Sequence, residues 1–168
     1  PVFHQGDSGH YLTAGVLISR DHSTGEQNIG IHRMQLLDKN LMTVFLSNPP
    51  LSEYHREAER EGRSLPVAVA LGLHPAEMMA AAVPLKKGMK SKMHLAGGLA
   101  GRPLPLVKAK TVDILVPALA EIVLEGELLP NVRKPDGPFG ESSGYYFHAE
   151  SPVIKVKAVT FRNEPILS

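Results

Sequence analysis

The residue with the clearest chemical potential in this sequence is Arg33, which stands among apolar residues in the run NIGIHRMQLLD. A guanidinium buried in such a run needs an anionic partner, because an unpaired buried charge is strongly disfavoured. Its planar, forked donor group fits a carboxylate or a phosphate. The sequence therefore predicts at Arg33 either a binding site for an anionic ligand or a structural ion pair with an acidic neighbour.

Other residues could hold a ligand or a metal ion, although each is a weak signal by itself. His32 lies next to Arg33, where a histidine packed in a core or a cleft is more common than a metal ligand. Asn28 follows a turn-rich stretch and is typical of a turn residue. Glu125, in the run AEIVLEGE, is compatible with the solvent face of a strand.

The composition excludes several classes of function. The chain of 168 residues has no cysteine, so a metal ion would have to be bound by histidine, carboxylate, amide or water. Its 8 histidines do not fall at zinc-ligand spacing, and the GxSxG, P-loop, GxGxxG and HExxH motifs are absent. The net charge of +1 gives no reason to expect nucleic acid as a partner.

One basic run, KKGMKSK (86–92), could form a phosphate or nucleic-acid patch. Runs of this kind are more often solvated loops than binding sites. We therefore expect a loop here and assign it no function from the sequence.

Signals for membrane insertion or secretion are missing from the sequence. No apolar run approaches the roughly 20 residues that span a bilayer, and the N-terminus PVFHQGDSGH lacks the features of a signal peptide. We expect a soluble protein, and the absence of cysteine fits a cytoplasmic location. The chain begins with Pro1 and ends at Ser168 just after a strand-like run, so we expect it to be a fragment of a longer protein.

Strand-like patterns position Asn28, His32 and Arg33. The runs GVLISR, NIGIHRMQLLD and LMTVFLS alternate with the period of β-strands, which predicts a meander of three antiparallel strands. Side chains alternate between the two faces of a strand. In the second strand one face would carry Ile29, Ile31 and Arg33, and the other Asn28, Gly30, His32 and Met34.

Helical patterns occupy the middle of the sequence. Ser52 precedes EYHREAEREG, a polar segment that Gly62 can end, and is the predicted N-cap. After the buried-strand run PVAVALGLH, Pro75 opens a second predicted helix. SKMHLAGGLAG predicts a third, short helix that its glycine pair weakens.

The last third returns to strands. LPLVKAKTVDILVP, AEIVLEGELLP and PVIKVKAVTFR have strand character, and NVRKPDGPFGESSGYY is expected to be an irregular loop. These elements predict one β-rich α+β domain over 1–168, built around a barrel or a strongly curled sheet with short helical inserts. A doubly wound parallel fold is disfavoured because strands and helices do not alternate regularly.

Motifs in a fixed order resemble the UbiD family of prenylated-flavin-dependent decarboxylases. They are NIGIHRMQLLDKN, LPVAVALGLHP, LAGGLAGRPLPLVKAKTVDILVPALAEIVLEGEL, GPFGESSGYY and the strand that ends FRNEPI. Each motif is weak alone, but EIVLEG followed by GPFG and GYY is specific as a combination. The resemblance extends over nearly the whole chain and corresponds to the central domain of the family.

This resemblance implies a fold similar to the flavin-reductase-like split β-barrel, with prenylated FMN as cofactor. It also implies a Mn²⁺ or Mg²⁺ ion at the cofactor phosphate and, in many members, a K⁺ ion nearby. By motif match Asn28 and Glu125 fall on metal ligands, and such oxygen ligands suit these hard cations. Ile31, His32 and Arg33 fall on the segment that lines the flavin, and Val44, Phe45 and Leu46 fall on a second strand that contacts it.

The same resemblance implies a reaction. It is a non-oxidative, reversible decarboxylation of a small aromatic or α,β-unsaturated carboxylic acid, with Arg33 as the catalytic residue that orients the substrate carboxylate. The longer enzyme is expected to be a homo-oligomer.

The sequence departs from the family at two places. The family carries a histidine metal ligand shortly after the strand of Val44, where this chain reads SNPPLSEY. The family's acidic proton donor lies beyond the segment VTFRNEPI, so we expect the isolated chain to be inactive. A stand-alone flavin- and metal-binding barrel without catalysis is therefore the alternative, whereas an FMN oxidoreductase is disfavoured by the motifs.

Overall fold

The computed structural model describes residues 1–85, 88–89 and 91–166, so Lys86, Lys87 and Lys90 of the basic run lie outside the described residues. The elements of the described chain follow one another as β1 (Tyr11–Leu12), β2 (Val16–Arg20), β3 (Gln27–Ile31), β4 (Met34–Asp38), β5 (Leu41–Val44), α1 (Leu51–Arg60), β6 (Leu65–Leu71), α2 (Pro75–Ala82), α3 (Lys92–Ala100), β7 (Leu106–Lys108), β8 (Leu115–Pro117), β9 (Ile122–Gly140) and β10 (Tyr146–Phe161).

An antiparallel sheet of 8 strands organises the described chain, in the order β1-β4-β5-β10-β9-β6-β2-β3. Strands β7 and β8 form a separate two-stranded hairpin. The predicted meander of three strands is wrong, because NIGIHRMQLLD forms two strands that belong to different parts of the sheet. Strand β3 pairs with β2 at one end of the order, whereas β4 pairs with β1 and β5 near the other end.

The short connection between β3 and β4 requires the sheet to curl. Only His32 and Arg33 separate the two strands, and such a connection spans about 10 Å at most. The two ends of the sheet must therefore approach each other, as they do in a barrel. In the described residues β1 and β3 form no ladder with one another, so the barrel is open. The predicted β-rich fold is thus confirmed, and the sheet curls at this connection but does not close, with His32 and Arg33 at the seam.

The hydrophobic core divides between the two faces of the curled sheet. The inner cluster combines residues of β2, β4, β5, β6, β9 and β10 with Leu51 and Ala58 of α1. The outer cluster combines Ile18, Ile29 and Ala68 with residues of α2, α3 and the β7–β8 region. Helix α1 therefore packs against the inner face of the sheet, whereas α2, α3 and the β7–β8 hairpin cover its outer face.

The helices follow the sequence signals with one difference at α1. That helix begins at Leu51 with Pro50 as the N-cap residue, so the prediction of Ser52 as N-cap is wrong. Ser52 is buried inside the helix, one residue past its start. Helix α2 begins at Pro75 as predicted, and Nδ1 of His74 accepts a hydrogen bond from the Ala76 N–H at 3.2 Å.

The expected loop between the last two strands is mostly strand. Strand β9 extends for 19 residues to Gly140 and pairs with the 16 residues of β10, so the loop prediction for 131–140 is wrong. Register shifts at Phe147/Ala149, Pro152/Ile154 and Val156/Ala158 accommodate the irregular residues. A bulge lets a strand continue through glycine and proline positions that interrupt a regular ladder.

The free energy of unfolding is expected to decrease as the pH falls below about 6.5, the ordinary pKa of histidine. Burial lowers the pKa of His55 on α1, although Glu59 at 3.5 Å and the Leu129 carbonyl act in the opposite direction. Between the lowered value and 6.5 the unfolded chain binds a proton that the native state does not. The stabilisation that comes from the neutral His55 is therefore complete above pH 6.5 and is lost below it.

Urea titrations across this pH range measure the effect. His55→Gln should reduce the slope of unfolding free energy against pH, whereas the same change at the exposed His22 should not. An unaltered slope in the His55 variant would contradict the assignment.

Candidate functional site at the seam of the barrel

The seam between β3 and β4 holds His32 in a fixed orientation. The His32 N–H donates to the Gly15 carbonyl at 3.4 Å, and the Nδ1 atom lies 3.0 Å from the Phe45 carbonyl, to which it donates. The imidazole packs closely against Gly30. A Cβ atom at that position would lie only 2.8 Å from Nε2 of His32. Glycine is thus required there by close approach.

The charge state of His32 follows from its surroundings. Burial lowers the pKa of His32, and the charge of Lys92 lowers it further, against the opposing hydrogen bond to Phe45. His32 is therefore neutral near pH 7, with Nε2 as an acceptor.

Arg33 is enclosed by aromatic rings from separate parts of the sheet. Its guanidinium carbon lies 4.6 Å from the ring centre of Phe45, 4.9 Å from that of Phe139 and 4.8 Å from that of Phe147. A guanidinium over aromatic faces at such distances is attracted by the negative face of each ring. Only 10% of the Arg33 side chain is exposed, so the rings hold the charge away from bulk water.

A bulge in the β9–β10 hairpin builds this cage. Asp136 and Phe139 are three residues apart, and in a regular strand they would point to opposite faces. The register shifts between Phe147 and Ala149, so that Ala149 pairs with Asp136 and Phe147 with Phe139. The extra residue brings both Asp136 and Phe139 to the side of Arg33. This gives the GPFG motif a role in positioning that the sequence did not reveal.

The charged partners of Arg33 leave part of its donor capacity unused. Nη1 donates to the half-exposed Glu141 at 2.8 Å, and Nε lies 3.9 Å from Oδ2 of the buried Asp136. Asp136 also accepts a hydrogen bond from the Ser151 hydroxyl at 3.0 Å. Among the described residues, Nε and Nη2 of Arg33 have no hydrogen-bond partner. The structure therefore contains the ion pair, and binding of an anionic ligand stays a prediction.

Two neighbouring clefts lie along the seam and are together called the groove. One cleft of about 520 Å³ lies between the end of β3, the start of α1 and the end of α2, and a second of about 550 Å³ lies against Arg33, Phe45 and Phe139. Ile31, His32 and Asn48 line both clefts. The two clefts therefore lie side by side at His32, one against Arg33 and the other against the end of α2.

The predicted cofactor-contacting residues fall into two groups. Ile31, His32, Arg33 and Phe45 line the groove. Val44 is fully buried in the inner core and Leu46 packs against that core, and neither lines the two clefts. Alternation along the strand explains the difference, since neighbours of Phe45 must point to the other face.

The two predicted metal ligands are not brought together. Asn28 pairs with Ser19, Ser19 with Val67, and Val67 with Gly126, so Asn28 shares a row with the residue next to Glu125. Adjacent residues of a strand point to opposite faces, and three strand spacings of about 4.8 Å separate β3 from β9. One cation cannot contact both side chains, so their prediction as a shared metal site does not fit this structure.

Glu125 instead binds a loop on the outer face. Its Oε1 accepts from the Lys110 N–H at 3.0 Å, and its Oε2 accepts from the Thr111 N–H at 2.6 Å and the Thr111 hydroxyl at 2.8 Å. Burial raises the pKa of Glu125, but these hydrogen bonds outweigh it and the pKa lies below 4.5. The carboxylate is thus ionised and fully engaged by the chain itself.

Asn28 is engaged by two helices. Its Nδ2 donates to the Tyr54 hydroxyl of α1 at 3.2 Å, and its Oδ1 accepts from the Lys92 N–H of α3 at 2.9 Å. In the described part of the chain no group of three or more histidine or carboxylate side chains could hold a metal ion. The residues at hand therefore do not fit the divalent cation that the family resemblance implies.

Lys92 is a residue of the groove that the sequence placed in a solvated loop. It is only 7% exposed, lines the cleft beside β3, and its ammonium donates to the Ala81 carbonyl at the end of α2 at 3.2 Å. Burial lowers the pKa of Lys92. Its position in the run KKGMKSK was the available signal, but a run of lysines does not reveal which of them folds inward.

The curled antiparallel sheet with its open seam defines a small β-rich fold of the split-barrel type. The sequence matches the family model described as UbiD, 3-octaprenyl-4-hydroxybenzoate carboxy-lyase Rift-related domain, over residues 1–168. The chain belongs to the UbiD family.

Proteins of this family are similar to the chain over nearly all of its length. A phenolic acid decarboxylase of Bacillus subtilis is 41% identical and matches 99% of this chain and 37% of its own length. The UbiD-class enzyme HmfF from Pelotomaculum thermopropionicum, in complex with prFMN, is 43% identical with a TM-score of 0.95, and the match covers 99% of this chain and 39% of HmfF. The chain thus spans well under half the length of these relatives.

A further structure supports the fold alone. A split-barrel protein of the flavin reductase type from Shewanella frigidimarina is 10% identical, with a TM-score of 0.58, and the match covers 92% of this chain and 69% of that protein. Among the described residues, no helix has the length and apolar character that crossing a bilayer requires.

Proposed function

We propose that this chain is the cofactor-binding portion of a non-oxidative decarboxylase that acts on an aromatic or α,β-unsaturated carboxylic acid through prenylated FMN. The observation that carries the proposal is Arg33, a guanidinium held in a ring of three phenylalanines with unused donors at the edge of a groove. The relatives that bind prFMN or are named as decarboxylases support the same function.

The groove offers suitable surfaces for the flavin. Ile31 and the rings of Phe45 and Phe139 provide apolar contact, and the neutral His32 offers an acceptor at Nε2. When bound, prenylated FMN supplies the electron sink for breaking the bond between the substrate and its carboxylate. The chain supplies position, exclusion of water and a fixed positive charge.

Arg33 is the residue that binds the substrate carboxylate. Glu141, whose side chain is 41% exposed, currently occupies Nη1 and gives way to the incoming carboxylate, because the two anions compete for the same donors. Asp136 stays in place behind Nε. The phenylalanine ring contacts prevent the guanidinium from rotating, so the carboxylate is held in one orientation beside the cofactor.

The test is decarboxylation by the full-length protein. Loaded with prenylated FMN, it should release CO₂ from 3,4-dihydroxybenzoate or vanillate, the acids in the names of two structural relatives. Loaded with FMN it should not, because FMN lacks the prenyl-derived ring. Stable cofactor binding without turnover of any aromatic or unsaturated acid would favour the alternative of a binding module.

A further inference from the structure

A phosphate bound inside this groove requires a compensating positive charge. A phosphate monoester carries about −1.5 to −2 charges near pH 7, and burying it without a partner is strongly unfavourable. Proteins meet this need either with a divalent cation held by carboxylates or with lysine and arginine side chains. The described chain has no group of three or more histidine or carboxylate side chains for a cation, so basic side chains are the remaining source of positive charge.

Among the described residues, Lys92 brings positive charge to the cleft beside β3. Of the described residues that line this cleft, the charged ones are Lys92 and the exposed Glu53 at the start of α1. His32, on the same wall, is neutral. Glu53 is solvated, whereas Lys92 is buried, so of these two charges the lysine acts more strongly inside the cleft.

The ammonium of Lys92 is held in place and keeps donors for a ligand. Of the three N–H donors of a lysine ammonium, one is used by the Ala81 carbonyl at 3.2 Å. The partial negative charge at the end of α2 stabilises the ammonium there. The backbone of Lys92 is fixed by the hydrogen bond of its N–H to Asn28. The side chain is therefore anchored at both ends beside the cleft.

Lys92 lines the cleft that would hold the phosphate end of a bound flavin. The reactive ring must lie near Arg33, in the cleft with Phe45 and Phe139, so that the substrate carboxylate can reach the guanidinium. Ile31 and His32 line both this cleft and the neighbouring cleft of Lys92. The phosphate, at the end of the ribityl chain, would then lie in the cleft of Lys92.

We propose that Lys92 neutralises the phosphate of the flavin cofactor in this chain, in place of a metal ion, so that cofactor binding does not depend on a divalent cation. The inference rests on the proposed function in that the ligand is a flavin phosphate. It departs from the metal-bridged phosphate that the family resemblance implies.

The experiment is a fluorescence titration of the full-length apoprotein with FMN and with riboflavin, which lacks the phosphate. Each titration is done in EDTA and again with added Mn²⁺. We expect FMN to bind with the same Kd in both conditions, within about twofold, and riboflavin to bind about 10- to 100-fold more weakly, which is the range for a lost hydrogen bond between charged groups. A requirement for Mn²⁺ would overturn the inference without affecting the proposed function.

Variants of Lys92 test whether this lysine supplies the positive charge that binds the phosphate. Lys92→Met should lower FMN affinity about 10- to 100-fold and leave riboflavin affinity unchanged, whereas Lys92→Arg should retain most of the FMN affinity. Lys155→Met, at an exposed lysine of β10, is the matched control and should change neither. Equal losses for FMN and riboflavin in Lys92→Met would show a structural role and overturn the inference.

If Lys92→Met does not fold, titrations of the wild-type protein still test the inference. Equal affinity of the wild-type protein for FMN and riboflavin in EDTA would show that the phosphate is not recognised, and would overturn the inference. Failure of the apoprotein to bind any flavin would overturn the proposed function together with it.

Discussion

Arg33→Lys is expected to lower kcat/KM of the full-length enzyme for its carboxylic acid substrate by about 100- to 1000-fold, the usual range for loss of a preorganised hydrogen-bond donor. Lysine keeps a positive charge opposite Asp136 but loses the planar fork that binds both oxygens of a carboxylate. It also loses stacking on the three phenylalanine rings that surround the guanidinium. The variant keeps the positive charge but loses the fixed orientation of the donors.

Lysine is a better test than alanine because of the buried Asp136. That carboxylate has no exposed side-chain surface and lies 3.9 Å from Nε of Arg33. Removing the positive charge would leave it unpaired, and breaking a buried pair in this way costs about 3–5 kcal/mol of stability. A loss of activity in Arg33→Ala could therefore reflect unfolding, whereas Arg33→Lys separates the two effects.

Steady-state kinetics and cofactor content are the measurements. The flavin absorbance of purified Arg33→Lys should equal that of the wild-type enzyme, since the lysine still occupies the seam. Arg63→Lys changes a partly exposed arginine that pairs with Glu61 beyond the end of α1, and it should leave kcat/KM unaltered. Full activity in Arg33→Lys would remove Arg33 from the proposed mechanism.

Glu125→Gln is expected to lower the free energy of unfolding by about 2–4 kcal/mol, with or without Mn²⁺. An amide presents an N–H₂ group where the carboxylate presents an oxygen, so at least one of the Lys110 and Thr111 donors would face another donor. The hydrogen bonds in question anchor the loop at 110–111 to β9 on the outer face of the sheet.

Urea titrations in EDTA and in Mn²⁺ measure this loss and distinguish it from a metal site. A ligand that binds only the native state stabilises it by mass action, so removal of a true metal ligand would cost stability only when the ion is present. Glu127→Gln, two residues along the same strand and partly exposed, should cost less than about 1 kcal/mol through its pair with Lys157. A cost in Glu125→Gln that appears only with Mn²⁺ would restore Glu125 as a metal ligand.

The stability that Glu125 contributes is expected to depend on pH. The pKa of Glu125 lies below its ordinary 4.5 in the folded state, so the unfolded chain binds the proton first as the pH falls. The stabilisation is complete above about pH 4.5 and is lost as the pH drops through the folded pKa. The Glu125→Gln variant should lack this part of the acid transition.

The sequence by itself determined the local structure and the kind of chemistry. Strand alternation and helix signals predicted β2, β6, α2 and α3, because these patterns depend on residues that are neighbours in the chain. An arginine within an apolar run required an anion, and the structure contains that ion pair. The ordered motifs indicated the UbiD family, which the family match confirms.

Only the tertiary structure decided which of these residues meet. Alternation states which residues of one strand share a face, but not which strands are neighbours or where a bulge reverses the faces. The ladder from β3 through β2 and β6 to β9 separates Asn28 from Glu125, and the bulge at Gly137 brings Phe139 to Arg33. Lys92, 64 residues along the chain from Asn28, reaches the groove by folding of α3 against the edge of β3. Such contacts arise between segments distant in the chain, and the sequence alone does not encode them in any local pattern.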